Sequence, residues 1–140
     1  FDWKLAFSSK IVYSMIYRNF KDLIAYQKGF TQAMNIFQLS AGFPVEERYS
    51  LTDQIRRSSR SICTNMAEAY RKRAYPKHFH SKMTDCWAEN GETGVWLDFV
   101  YHCNYISEEI YNQHIALNTE IGKLITYMIN NPEKFGVKED

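Results

Sequence analysis

Residues 55–73 read IRRSSRSICTNMAEAYRKR, and the way this stretch winds decides the fold. Six of its residues are Arg or Lys, and one, Glu68, is acidic. On an α-helix with Ile55 at zero, turning about 100° per residue, Leu51, Ser59, Ile62, Met66, Ala69 and Tyr70 fall within about 60° of zero. Arg56, Arg57, Arg60 and Arg71 fall between about 100° and 200°. An apolar stripe and a basic face therefore separate cleanly at a helical period. Lys72 leaves the basic arc and Arg73 returns to the apolar side, so these two mark the helix end. Lys77 and Lys82 carry positive charge into the next segment.

The flanking residues extend this pattern in both directions. Ser50 stands three residues before Asp53, which resembles a capping box and starts the helix. Pro76 restricts the residue before it, so the helix ends by about Ala74. Upstream, Leu23, Phe30, Met34, Phe37 and Ala41 follow helical spacing over Lys21–Ala41, until Gly42 and Pro44 stop the run. Downstream, Pro76 suits the first turn of a third helix, which runs through Phe79, Met83, Trp87, Leu97 and Val100 to about Cys103, with Asn104 as a cap. Ser107, followed by Glu108 and Glu109, opens a fourth helix with acids at its positive end. Its stripe is Ile110, Leu117, Ile121, Leu124, Ile125 and Met128, and NNP at 130–132 ends it. The chain is read as all-α, an antiparallel up-down four-helix bundle over residues 19–131. Residues 1–18 are read as an N-terminal extension, native or added, with Met15 as a candidate start that leaves residues 1–14 either upstream sequence or a real extension. Residues 132–140 are a C-terminal tail. Ala88, Gly91 and Gly94 form a small-residue strip inside the third helix. Each glycine costs roughly 1 kcal/mol there relative to Ala. The strip is read as a close helix–helix approach, within the bundle or across a subunit contact.

At 140 residues, with 45% hydrophobic and 16% aromatic side chains, the chain is long enough for one core and too apolar for disorder. No apolar run approaches the roughly 20 residues that span a bilayer, and Lys10 interrupts any secretory signal. Cys63, Cys86 and Cys103 have no framework spacing, which suits reduced core thiols and a cytoplasmic protein. The net charge of +1 hides a split: residues 55–82 carry eight basic side chains and one acid, whereas residues 83–140 carry three basic and ten acidic. The helix-two face is arginine-rich and nearly free of acids, so its repulsion is uncompensated within that helix. Arginine also suits a bidentate grip on phosphate or carboxylate. Three readings stay open for this face: nucleic-acid phosphate, acids of a neighbouring subunit or partner such as Glu108 and Glu109, and plain solvation.

Other chemistry is poorly supplied. A ferritin-like di-metal bundle needs Glu-x-x-His pairs, and Glu68, Glu89 and Glu109 each precede the wrong residue. Glu89 and Glu92 share a helix face, where close carboxylates raise one pKa for acid–base work. Pairing with helix-two arginines is the preferred reading of them. His78 and His80 point apart on a helix, and His102 with the cysteines lacks zinc spacing. No glycine-rich phosphate loop is present. Trp87 and Trp96 are read as core or interface aromatics, and Tyr70 and Tyr75 as weak stacking candidates beside the arginines.

The segments FKDLIAYQKGF, FPVEERYSLTDQIRRSSRSICTNMAEAY and AENGETGVWLDFVYHCNYIS resemble the four-helix bundle proteins encoded in intervening sequences of bacterial 23S ribosomal RNA genes. The resemblance covers roughly residues 19–130. The family's S-N-I-A-E-G appears as Thr64-Asn65-Met66-Ala67-Glu68-Ala69, and Gly94 stands where Gln is common. The resemblance implies a homopentamer around a central channel, without enzymatic activity or cofactor. It also relates the chain to accessory proteins of diversity-generating retroelements, whose basic surface contacts a reverse transcriptase and its RNA. Carried over by position, the basic residues are Arg56, Arg57, Arg60, Arg71 and Arg73, and Lys77 extends them. The expected function is a non-enzymatic oligomeric accessory or scaffold protein that touches RNA or an RNA–protein complex. The alternative is a structural or protein-interaction module whose basic face meets acids.

Overall fold

The computed structural model describes residues 19–139, so the reading of residues 1–18 lies outside the described part. Four helices account for most of it: α1 (Ile24–Ser40), α2 (Leu51–Arg71), α3 (Pro76–His102) and α4 (Glu108–Asn130). No strand occurs among the described residues. Successive helices pack on one another and α1 also packs on α4, so each helix has two neighbours.

The helix ends follow from local chemistry. Asn19 caps a short turn, Phe20–Asp22, and α1 begins only after it. Ser50 does precede α2, but its hydroxyl donates to Glu47 Oε1 at 3.1 Å instead of capping the helix. Pro76 occupies the first turn of α3, where its missing N–H costs nothing. Asn104 ends the α3 region with φ of 63°, a left-handed conformation that Asn tolerates better than most residues. Ser107 Oγ accepts from the Ile110 amide at 3.2 Å and caps α4.

The α2 stripe is buried as its spacing requires: Leu51, Ile55, Ser59, Ile62, Met66, Ala69 and Tyr70 all face inward. The α1 expectation is corrected. Ala25, Gly29, Gln32, Ala33, Ile36 and Ser40 are buried, whereas Phe30 is 52% exposed and Met34 and Phe37 are also exposed. Small residues sit at the tight contact instead: a Cβ on Gly29 would meet Cys63 Sγ at 3.4 Å. In α3, Phe79, Met83, Leu97 and Val100 are buried as expected, but Trp87 is 57% exposed and Cys86 takes the core position. Cys103, expected in the core, is exposed at the helix end.

The core has two apolar parts. One gathers Leu23, Ile62, Met66, Phe79, Met83, Ile121, Ile125 and Met128, and the other Ile36, Leu51, Ile55, Leu97 and Val100. Between them every helix buries polar groups: Gln32 on α1, Ser58 and Ser59 on α2, Asn90 and Thr93 on α3, and Asn118 on α4. Thr93 donates to Ser58 Oγ at 2.9 Å. Asn90 Nδ2 donates to both the carbonyl and the side-chain oxygen of Asn118, each at 2.9 Å, and Asn118 Nδ2 returns a bond to the Asn90 carbonyl at 3.2 Å.

Glycine permits this close α3–α4 contact. A Cβ on Gly122 would stand 2.7 Å from Asn90 Oδ1, and one on Gly94 would stand 3.1 Å from Asn118 Nδ2. Gly91, by contrast, has open space around it. The expected close approach within the bundle therefore rests on Gly94 and Gly122.

The C-terminal segment is part of the packing. A short turn, Pro132–Phe135, buries Phe135, and Val137 follows it into the core. Arg73 holds the segment: its Nη1 donates to the Phe135 carbonyl at 3.1 Å, and the Lys138 amide donates to the Arg73 carbonyl at 3.1 Å.

Candidate nucleic-acid interface

The loop from α1 to α2 folds back along the first half of α2 and leaves a cleft of about 690 Å³ between them. Ala41, Phe43, Pro44, Val45 and Arg48 form one wall. Thr52, Arg56, Arg60, Ser61 and Thr64 form much of the other, and Arg57 also reaches it. Against these four arginines stands one acid, Asp53.

Each arginine is held differently. Arg56 Nε donates to Ser40 Oγ at 2.7 Å, and its guanidinium lies 4.7 Å above the Phe37 ring. Arg60 shares the same ring at 5.6 Å and is exposed. Both partners are neutral, so Arg56 and Arg60 keep their full charge toward the cleft. Arg48 lies 5.9 Å from the ring of Tyr49, which is 86% exposed. Arg57 differs: its Nη2 donates to Glu92 Oε1 at 2.6 Å, and its Nη1 lies 3.7 Å from Glu89. The α3 carboxylates thus pair with a helix-two arginine, as preferred from the sequence. Burial and the adjacent Glu92 carboxyl hold Glu89 above the usual carboxylate range, partly opposed by Arg57. Glu92 also accepts from Trp96 Nε1 at 3.2 Å.

The other three predicted basic residues lie elsewhere. Arg71 stands eleven positions beyond Arg60, or about 16 Å along the helix axis. Arg71 and Lys77 are exposed near the α2–α3 junction. Arg73 is occupied by the fold, donating to the Tyr70 and Phe135 carbonyls and lying 3.7 Å over the Tyr70 ring. Between the two basic regions, Glu68 pairs with Lys82 at 2.8 Å, which holds Glu68 below the usual carboxylate range. The basic face is therefore two clusters, and the cleft described above lies at the first.

Tyr75 is exposed as a stacking candidate requires, whereas Tyr70 is buried. Sequence reasoning missed Arg48 and Tyr49. Both precede α2 and so belong to no periodic stripe; their only signal is an Arg-Tyr pair within EERYS, beside a helix cap. Among the described residues, no three His, Cys, Asp or Glu side chains are grouped to hold a metal ion. No helix among them is long and apolar enough to cross a membrane.

Residues 21–127 match the pattern of the 23S rRNA-intervening sequence protein family. The chain belongs to that family. A similar solved structure is a protein of unknown function from the S23 ribosomal protein family of Bacteroides thetaiotaomicron. It is 30% identical, superposes with a TM-score of 0.71, and the match covers 79% of this chain and 98% of that one. No curated protein matches the chain. For this intervening-sequence protein, family membership accounts for the four helices, and the matched span contains the whole cleft.

Proposed function

We propose that this intervening-sequence protein is a non-enzymatic, oligomeric accessory protein that holds RNA, or an RNA–protein complex, on its α2 cleft. The observation that carries the reading is the cleft itself, where Arg48, Arg56 and Arg60 are held by aromatic rings and neutral oxygens. A surface that only solvates a helix has no need of guanidiniums set against rings and neutral oxygens rather than acids. One that meets phosphate gains from charged donors already in position.

Oligomerisation is supported by apolar side chains left outside. Phe30 and Met34 line an exposed stripe on α1, and Trp87, Val95 and Phe99 are exposed on α3 beside the open Gly91. The two stripes lie on helices that are not packing neighbours, and their compositions differ. Unlike surfaces that pair do so head to tail, and such contacts form a ring when the rotation between subunits closes. The homopentamer implied by the resemblance has this form. The packing order of the helices, each on its sequence neighbours with α1 on α4, fits an antiparallel up-down bundle.

The test is fluorescence anisotropy of a labelled structured RNA across a salt series, beside an Arg48→Glu, Arg56→Glu, Arg60→Glu variant of matched helicity. Binding that weakens steeply with salt and is lost in the variant supports the reading. Absence of binding at low salt, by protein of a native mass that is a multiple of 16.6 kDa, would turn the cleft toward a protein partner.

A further inference from the structure

We infer that the cleft takes an unpaired stretch of RNA rather than a duplex, with Tyr49 as a stacking surface for a base. The inference rests on the RNA reading of the cleft and specifies which form of RNA enters it.

Three observations carry it. The first is shape. At about 690 Å³ between a helix and a folded-back loop, the space is that of a pocket for a small ligand. A segment of single strand fits such a trough; a double helix can only rest on its rims.

The second is the donor pattern. Thr52, Arg56, Arg60 and Thr64 all line the cleft at four-residue intervals. Each interval advances about 6 Å along the helix axis, close to the repeat of an extended nucleotide backbone. A strand lying along α2 would thus meet the guanidiniums of Arg56 and Arg60 at neighbouring phosphates. Asp53 lies near one end of this row and is its only acid.

The third is the aromatic rim. Single-strand sites combine a basic groove with exposed rings, because an unpaired base has a free face to stack. Tyr49 is 86% exposed, and the guanidinium of the cleft-lining Arg48 lies 5.9 Å from its ring. Solitary exposed aromatics are ordinary, but here the ring is coupled to a cleft arginine at the cap of α2. Phe37 repeats the arrangement farther along: 41% exposed, it supports both Arg56 and Arg60. At each place a guanidinium for phosphate stands beside a ring for a base. A duplex would leave both rings unused, since its bases are already stacked.

The test compares a labelled oligouridine with an RNA duplex of equal length, by anisotropy at several salt concentrations. The proteins are the wild-type chain, Tyr49→Ala, Tyr49→Phe and the triple arginine variant. Tyr49 is almost wholly exposed, so its replacement leaves the fold intact, and circular dichroism checks this. The expected result is tighter binding of oligouridine than of duplex. Tyr49→Ala should weaken oligouridine binding about tenfold, the order of one stacked base. It should leave duplex binding and the salt slope unchanged, and Tyr49→Phe should retain wild-type affinity. Equal binding of both RNAs, or no effect of Tyr49→Ala, with both affinities lost in the triple variant, would overturn this inference and leave the RNA reading standing. Failure of both RNAs to bind wild-type protein would overturn the two together.

Discussion

Gly122→Ala should destabilise the protein although it places a better helix former inside α4. In a helix interior, Gly→Ala is worth about 1 kcal/mol in the fold's favour. Here the new methyl would stand 2.7 Å from Asn90 Oδ1, so the Asn90 side chain must turn. That side chain donates two bonds of 2.9 Å to Asn118 from a position only 8% exposed. Losing them costs about 1 kcal/mol each, and an amide left buried without partners costs about 1–3 kcal/mol if nothing replaces them. The loss exceeds the gain, for a net destabilisation of about 1–4 kcal/mol. Gly91→Ala is the control. It lies in the neighbouring helix with open space around it, so it should stabilise the isolated subunit by about 0.5–1 kcal/mol. Urea denaturation followed by circular dichroism, at one fixed protein concentration, measures both. A Gly122→Ala protein as stable as wild type would refute the reasoning, because Asn90 would then have moved at no cost. A loss at Gly91→Ala would instead put that position in a subunit contact.

Two further predictions concern titrating groups. Burial pushes the Cys63 thiol up to about 11 and raises that of Cys86 as well, while Cys103 is exposed. Alkylation at about pH 8 should therefore mark Cys103 alone in the native protein and reach the other two only in denaturant, as read by mass spectrometry. Burial also lowers the pKa of His114 below its ordinary value. As pH falls through about 6.5, the unfolded chain takes up a proton that the folded side chain resists, so stability falls with it. Replacing His114 with Gln should flatten that slope between about pH 7 and 5, and an unchanged slope would assign it to other groups.

The legible parts of the fold were those where one physical demand acted alone. In α2 the apolar and basic faces separate because nothing apolar lies outside, so angle arithmetic found every buried position it named. In α1 two demands compete. The core side uses Ala25, Gly29 and Ala33 to let helices approach, while the larger Phe30, Met34 and Phe37 remain outside. Size then points the wrong way. Trp87 misleads for the same reason, since α3 carries apolar residues on its outer face too. At the site, Arg56 and Arg60 were legible from their arc. Arg57 needed the position of α3, because its charge is met by Glu92 across the helix gap. Arg73 needed the C-terminal segment that it holds, and a short apolar pair after a proline gives no periodic signal of its role. Arg48 needed the loop's path, which spacing does not encode.

The polar level that divides the core works as a key for height. If one helix slid along its neighbours by a turn, about 5.4 Å, its amides or hydroxyls would meet the hydrocarbon of the next layer and lose their partners. Two greasy halves without a divider would tolerate that slip. This core does not, even though Gln32 finds no partner for its own amide among the described residues. The consequence reaches the outside of the molecule. Arg56 finds Ser40 on α1, and Arg57 finds Glu92 on α3, only while α2 keeps its elevation between them. The buried Thr93–Ser58 bond, which ties α3 to α2 at the centre of the bundle, thus bears on where the guanidiniums stand on its rim.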